Sequence, residues 1–291
     1  MVVGYDASPH SDTALAWAVR YATDHGRPLL IVHAAGVPTV YASFAGPVEN
    51  RRELRIAGRR TTDLALGQVR SQAPELDVKV HLAMGSARDV LLDSLVGAHL
   101  LVVGSRGRGS LAAFLLGSVS AGVAGHATCP VVVVRAAERR DPHSTFAGHV
   151  VVGIDGTASS EAVLEAAFAL ASAQSQPLAV LHTWAGVVTH RDLTDYEVRL
   201  ETNDENELLV AESLAGFSEK YPDVLVHVRQ EEGDPGRALV DASRDAEVVV
   251  VGSRGRGDAK AVFLGSVSRH VVEHAHAPVM VVRTAVEQVP A

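Results

Sequence analysis

The sequence predicts an α/β protein of two tandem domains, each an open parallel sheet with helices on both faces. Three observations carry this. Segments recur at a fixed distance: VVGYDAS (2–8) returns as VVGIDGT (151–157), 149 residues on, and VVGSRGRG (102–109) returns unchanged at 250–257, 148 residues on. The spacing of 148 is kept by GSVS (117–120 and 265–268) and by HATCPVVVVR and HAHAPVMVVR (126–135 and 274–283). A period this long marks a duplicated domain, not a solenoid. Strand-like runs also alternate with helical stretches, the pattern of a parallel sheet covered by helices. Finally, LLVVG, EVVVVG and PVVVV are apolar without alternation, as strands buried on both faces are. The chain has 291 residues and is 47% hydrophobic, enough for two cores. The repeats place the domains at 1–136 and 149–285, with the polar stretch 137–148 as linker.

Each element has a local reason. Val2–Tyr5 reads as a strand and Pro9–His25 as a helix, capped by Asp6 or Ser8, with Pro9 suited to its first turn. Pro28–His33 is a strand, followed by a loop holding Gly36, Pro38, Gly46 and Pro47. A long helix from about Glu49 to Gln72 is closed by Pro74. Val78–Leu82 is a strand, Ala87–Val96 a helix and His99–Val103 a strand. The glycine block, a helix over Ser118–Gly125 and the strand Val131–Val134 complete the unit. The second copy repeats the order, with strands near 149–154, 178–183, 224–229, 247–251 and 279–282. Ahead of its first Gly the first copy has only three residues, which predicts either a shortened first strand or a natural start upstream of Met1.

Composition narrows the function. The net charge is −8, and Lys occurs only at 79, 220 and 260. No long basic block stands out, which argues against a nucleic-acid groove or an anionic membrane surface as partner. No apolar run approaches the ~20 residues of a membrane span, and no signal peptide is visible, so a cytoplasmic protein is expected. The single Cys129 excludes an intramolecular disulfide, and its T-C-P-V-V-V-V setting reads as a packed thiol. The histidines show no H-E-x-x-H spacing, so no metal-ligand set is assigned. His33 and His182, in V-H-A and L-H-T, read as packing residues in strands.

The glycine block carries the chemistry. Phosphate needs donors that come close, and glycine lets backbone N–H groups do so. Gly104, Gly107 and Gly117 can serve the first copy, and Gly252, Gly255 and Gly265 the second. Ser118 and Ser266 each open a helix whose N-terminus attracts anions, with Ser120 and Ser268 in the same first turn. Asp6 and Asp155 end the first strands, where a carboxylate can accept from ribose hydroxyls or brace the next helix. Arg106, Arg108, Arg254 and Arg256 are either phosphate clamps or solvated charges. Neither loop has the lysine of a P-loop. The dinucleotide fingerprint also fails, because the block follows the fourth strand and Ala112 stands where its third glycine belongs.

Together these residues resemble the universal stress protein family, over nearly the whole chain and in its tandem, actinobacterial form. The family's ATP-binding signature, G-x2-G-x9-G-[ST], is matched at Gly104, Gly107, Gly117-Ser118 and at Gly252, Gly255, Gly265-Ser266. The resemblance implies a five-stranded parallel sheet of order 3-2-1-4-5 in each domain. It implies ATP, with Mg2+, at the strand carboxyl ends. Asp6 and Asp155 would meet the ribose or adenine side, Ala34 and Thr183 would line the adenine through backbone groups, and Val103 and Val251 would pack beside it. The GSVS segments would contribute Val119 and Val267 along with their serines. Met84–Ala87 and Gly233–Pro235 would border the pocket, although the first copy lacks the usual proline there. Fifth strands would associate within the chain as a pseudo-twofold pair, and a homodimer of such chains is expected.

The expected function is a nucleotide-dependent stress-response regulator with little or no turnover, acting through an unidentified regulatory protein partner. No catalytic residue is assigned, because neither loop offers a clear general base for phosphoryl transfer. The alternatives are a slow ATPase or nucleotidyl-transfer enzyme on the same fold, and an interaction scaffold that binds no nucleotide.

Overall fold

The computed structural model describes residues 1–36, 49–107, 116–135, 144–184, 203–255 and 264–283. In chain order the elements of the first repeat are β1 (Val2–Gly4), α1 (Pro9–Asp24), β2 (Leu29–Ala35), α2 (Glu49–Gln72), β3 (Val78–Met84), α3 (Ala87–Asp93), β4 (Leu101–Gly104), α4 (Ser118–His126) and β5 (Val131–Val134). Those of the second are β6 (Val150–Ile154), α5 (Ser159–Ala173), β7 (Leu178–Trp184), α6 (Asn203–Leu214), α7 (Phe217–Lys220), β8 (Val226–Glu232), α8 (Pro235–Ala242), β9 (Val248–Gly252), α9 (Ser266–His274) and β10 (Val279–Val282). The chain is α/β, and its described residues form two compact units.

The first unit holds the first repeat. Its parallel strands run β3-β2-β1-β4-β5, the expected 3-2-1-4-5 order. The unit also takes in β10, antiparallel to β5 with Met280 opposite Val132. Val3, Ile31, Leu101, Val102 and Val132 are almost fully buried, which accounts for the unbroken apolar runs. The edge strand β3 is different: Val80 is 38% exposed, and the strand mixes Lys79 and His81 with its apolar residues.

Helix α1 begins where its residues dictate. Ser8 is the N-cap and accepts from the Ser11 amide at 3.2 Å, while the Ser8 amide donates to the Ser11 hydroxyl at 3.0 Å. This reciprocal pair is a capping box, with Pro9 in the first turn. Helix α2 packs close to the sheet because Gly58 has no side chain. A Cβ there would lie 2.7 Å from Leu82 Cδ1 and 3.2 Å from Ala35 Cβ.

The second unit runs β9-β6-β7-β8, again parallel. Phe168 on α5 stacks on Phe217 with ring centroids 4.8 Å apart, anchoring α7. The strand expected near 224–229 starts at Val226 instead. Val224 belongs to the preceding turn, where its amide donates to Tyr221 O at 3.2 Å and its side chain is buried. Its apolar character signals burial, not strand. β1 is short, three residues against five in β6.

His33 and His182 are packing residues, as expected. His33 Nδ1 donates to Tyr5 O at 2.7 Å. His182 Nδ1 donates to Ile154 O at 3.1 Å, and its Nε2 lies 3.0 Å from Asn206 Oδ1. A carbonyl only accepts, so Nδ1 carries a proton in each ring. Cys129 is buried, and that burial raises its thiol pKa. Among the described residues no helix is long and apolar enough to cross a membrane. Gly58→Val should lower stability by roughly 1–3 kcal/mol through overpacking against Leu82 and Ala35. Urea unfolding monitored by circular dichroism measures it, and an unchanged midpoint would refute the close-packing argument.

Candidate functional site

Both units assemble the same cluster beyond the carboxyl ends of their first and fourth strands. In the first, the chain leaves β1 through Asp6 and turns at Ala7, whose φ of 58° is the left-handed region. In the second, Gly156 takes the same turn at φ 72°. Glycine adopts this conformation without strain, whereas Ala7 is held there by its surroundings.

The aspartates divide their two oxygens. Asp6 Oδ1 accepts from the Ser8 amide at 3.0 Å. Asp155 Oδ1 accepts from the Thr157 amide at 3.0 Å, the Thr157 hydroxyl at 2.7 Å and the Ser160 hydroxyl at 3.0 Å. The other oxygen faces the glycine loop. A Cβ on Gly107 would lie 2.8 Å from Asp6 Oδ2, and one on Gly255 would lie 2.7 Å from Asp155 Oδ2. Neither aspartate is the N-cap itself; that place belongs to Ser8 and to Ala158. Each braces the turn that leads into the helix. Sequence reasoning named Ser8 as a cap but passed over Ser11, Thr157 and Ser160; their signal is a Ser or Thr two or five residues after each aspartate.

The loop after the fourth strand is pinned at both ends. The Gly117 amide donates to Ser105 O at 2.8 Å, and the Gly265 amide donates to Ser253 O at 2.9 Å. Gly104 is pressed against α1: a Cβ there would be 2.6 Å from His10 O. Helices α4 and α9 start at Gly117 and Gly265 with extended φ/ψ and no side-chain cap. Their first turns therefore offer backbone N–H groups and the positive end of the helix dipole. Ser118 and Ser266 are exposed there, and Val119 and Val267 are half-buried.

Ser120 and Ser268 have a structural task. The Ser120 hydroxyl donates to Gly104 O at 2.6 Å, and the Ser268 hydroxyl lies 3.2 Å from Ser253 O and 3.1 Å from Gly265 O. Both are buried and tie the helix start to the loop. What they leave for a ligand is the backbone N–H.

The remaining expected residues border the same strand ends. Ala34 and Thr183 are half-buried near the ends of β2 and β7. Val103 and Val251 are buried core residues, and Val103 packs over Gly4, which leaves room for it. The loops after the third strands approach the second strands: the Gly85 amide donates to Ala35 O at 3.4 Å and the Gly233 amide to Trp184 O at 2.9 Å. Ser86 and Asp234 cap the helices that follow. The missing proline of the first copy therefore does not alter this wall. Gly252 ends β9 as Gly104 ends β4. Arg106 and Arg254 lie beside the glycines, while Arg108 and Arg256, the loop holding Pro38 to Pro47 and much of the linker lie outside the described residues.

A separate cavity of about 650 Å³ lies between Ala22–Pro28 and Gln72–Asp77. These residues lead into β2 and β3, so it opens at the amino ends of the strands, away from the first cluster. Among the described residues no group of three or more His, Cys, Asp or Glu could hold a metal ion.

The profile of the universal stress protein family matches residues 1–135 and 147–283. The chain belongs to the universal stress protein family. A universal stress protein of Mycolicibacterium smegmatis is 36% identical, covering 97% of this chain and 96% of its own length. One from Mycobacterium tuberculosis is 37% identical with the same coverage. The crystal structure of a universal stress protein from Archaeoglobus fulgidus shares the fold, with a TM-score of 0.70 and 19% identity over 99% of this chain and 97% of that one. The two tandem universal stress protein domains are thus shown by profile and by fold.

Two glycine substitutions test the packing of the cluster. Gly104→Ala meets the His10 backbone and should cost about 1–3 kcal/mol, whereas Gly107→Ala meets only the tip of Asp6 and should cost about 1 kcal/mol or less. Equal losses in chemical denaturation would contradict this difference.

Proposed function

We propose that each unit binds an adenine nucleotide, ATP with Mg2+ first of all, and that the chain acts as a nucleotide-dependent stress-response regulator with little or no turnover. The observation that carries the reading is the pairing, in both units, of a carboxylate lodged against a bare glycine with a helix start that no side chain caps. Phosphate oxygens suit the N–H groups of Ser118–Ser120 and Ser266–Ser268. Gly107 and Gly255 keep the approach open. Asp6 and Asp155 would accept from ribose hydroxyls. Ala34 and Thr183, with Val103 and Val251 behind them, line the place of the base. Mg2+ would ride on the phosphates and water, since it needs few protein ligands.

Slow turnover follows from what surrounds the loop. Asp6 and Asp155 each have one oxygen engaged in bracing the turn. A regulator also needs a reader, so a protein partner sensitive to occupancy belongs to the reading.

Protein denatured directly after purification should release adenine nucleotide, up to two equivalents per chain. Gly117→Val or Gly265→Val should each remove one site, and the double variant both. A Cβ on Gly117 meets its nearest neighbours at 3.4 Å, ordinary contact, so the fold should survive. Unchanged stoichiometry in the double variant would refute the cradle. Cyclic AMP and dAMP, bound by two solved universal stress proteins, belong in the same titrations. Single-turnover hydrolysis of ATP at about 1 s⁻¹ or faster would replace the regulator with an enzyme.

A further inference from the structure

Among the differences between the two helix starts, one changes a titratable group. The second residue of α1 is His10; its counterpart, the first residue of α5, is Ser159. His10 is not a bystander of the first cluster. Its backbone oxygen is the atom that leaves no room for a Cβ on Gly104, and its Cβ lies 3.0 Å from the same point. Its Nδ1 lies 3.5 Å from the hydroxyl of Ser105, the residue whose carbonyl closes the loop onto Gly117.

The charged groups that face the ring come from each neighbouring element: Asp6 after β1, Arg106 after β4 and Arg135 after β5. Burial lowers the His10 pKa first, the two guanidinium charges lower it further, and Asp6 opposes them. In the free first cluster the imidazolium is therefore disfavoured relative to an ordinary histidine. An anion placed there reverses the balance, because negative charge favours the imidazolium. Ser159 cannot titrate.

We propose that His10 is a further ligand-facing residue of the first site and makes that site proton-linked: a phosphate-bearing ligand enters it together with a proton on His10, whereas the second site, with Ser159, binds without that proton. This rests on the nucleotide reading above. The linkage has a definite sign. Binding at the first site strengthens as pH falls through the ordinary histidine range, and the two sites, alike in their glycines and serines, separate in affinity with pH.

The test is calorimetry of MgATP binding at pH 6.5 in two buffers of different ionisation heat, which gives the protons taken up per chain. Titration of the nucleotide itself contributes equally to every variant and cancels in the comparison. Wild type should take up a measurable fraction of a proton more than His10→Ser. The reciprocal Ser159→His should take up more than wild type, which keeps the test open if His10→Ser folds poorly. MgATP binding with equal proton uptake in all three overturns the linkage and leaves the nucleotide reading standing. No MgATP binding by wild type overturns both.

Discussion

The architecture of each cluster hangs on a carboxylate wedged between a helix start and a glycine. Asp6 and Asp155 spend one oxygen on the turn that follows and press the other against Gly107 and Gly255. That contact joins segments about a hundred residues apart in sequence and fixes the distance between the end of the first strand and the loop after the fourth. A methyl group at the glycine would have to push the tip of the carboxylate aside. The helix start, the loop and the strand ends are therefore positioned by one another, and the repetition of the arrangement at nearly the same dimensions in both units marks it as a constraint of the fold.

Much of this was legible in the sequence because the relevant residues are special for backbone reasons. The glycines at 104, 107 and 117, the proline at 9 and the unbroken valine runs announce turns, helix starts and buried strands without reference to distant contacts. What stayed hidden depends on direction. The sequence puts Ser120 and Ser268 in the first turn of their helices, but only the fold shows that their hydroxyls donate to backbone carbonyls. Val224 looked like strand because burial and strand share an apolar signature. Ser11, Thr157 and Ser160 drew no notice, since a lone hydroxyl has many uses and only the folded turn shows which backbone group or carboxylate it meets.

The repeats also show how one geometry is reached by different chemistry. The turn after β1 uses Ala7 in a left-handed conformation where the second repeat uses Gly156. The first helix begins with a serine capping box, the second with Thr157 and Ser160 gathered on the aspartate. The helix after the third strand is capped by Ser86 in one case and by Asp234 followed by Pro235 in the other. Each substitution preserves where the backbone donors point. Changes that leave those donors in place but alter the side chains around them, as between His10 and Ser159, are where the two halves are free to differ.

The amide of Gly117 bonded to Ser105, and that of Gly265 to Ser253, bring the two ends of each glycine loop to a common point. Each frame is thus closed by a backbone bond, with Gly107 or Gly255 held against its aspartate just inside the closure. Because the ends are held by backbone bonds, residues could be added between Gly107 and Gly117 while the frame stays shut, since closing a longer loop costs little more than closing a short one. A grafted loop, or one carrying a fluorescent reporter, could thus be placed within reach of the strand ends without redesigning the domain.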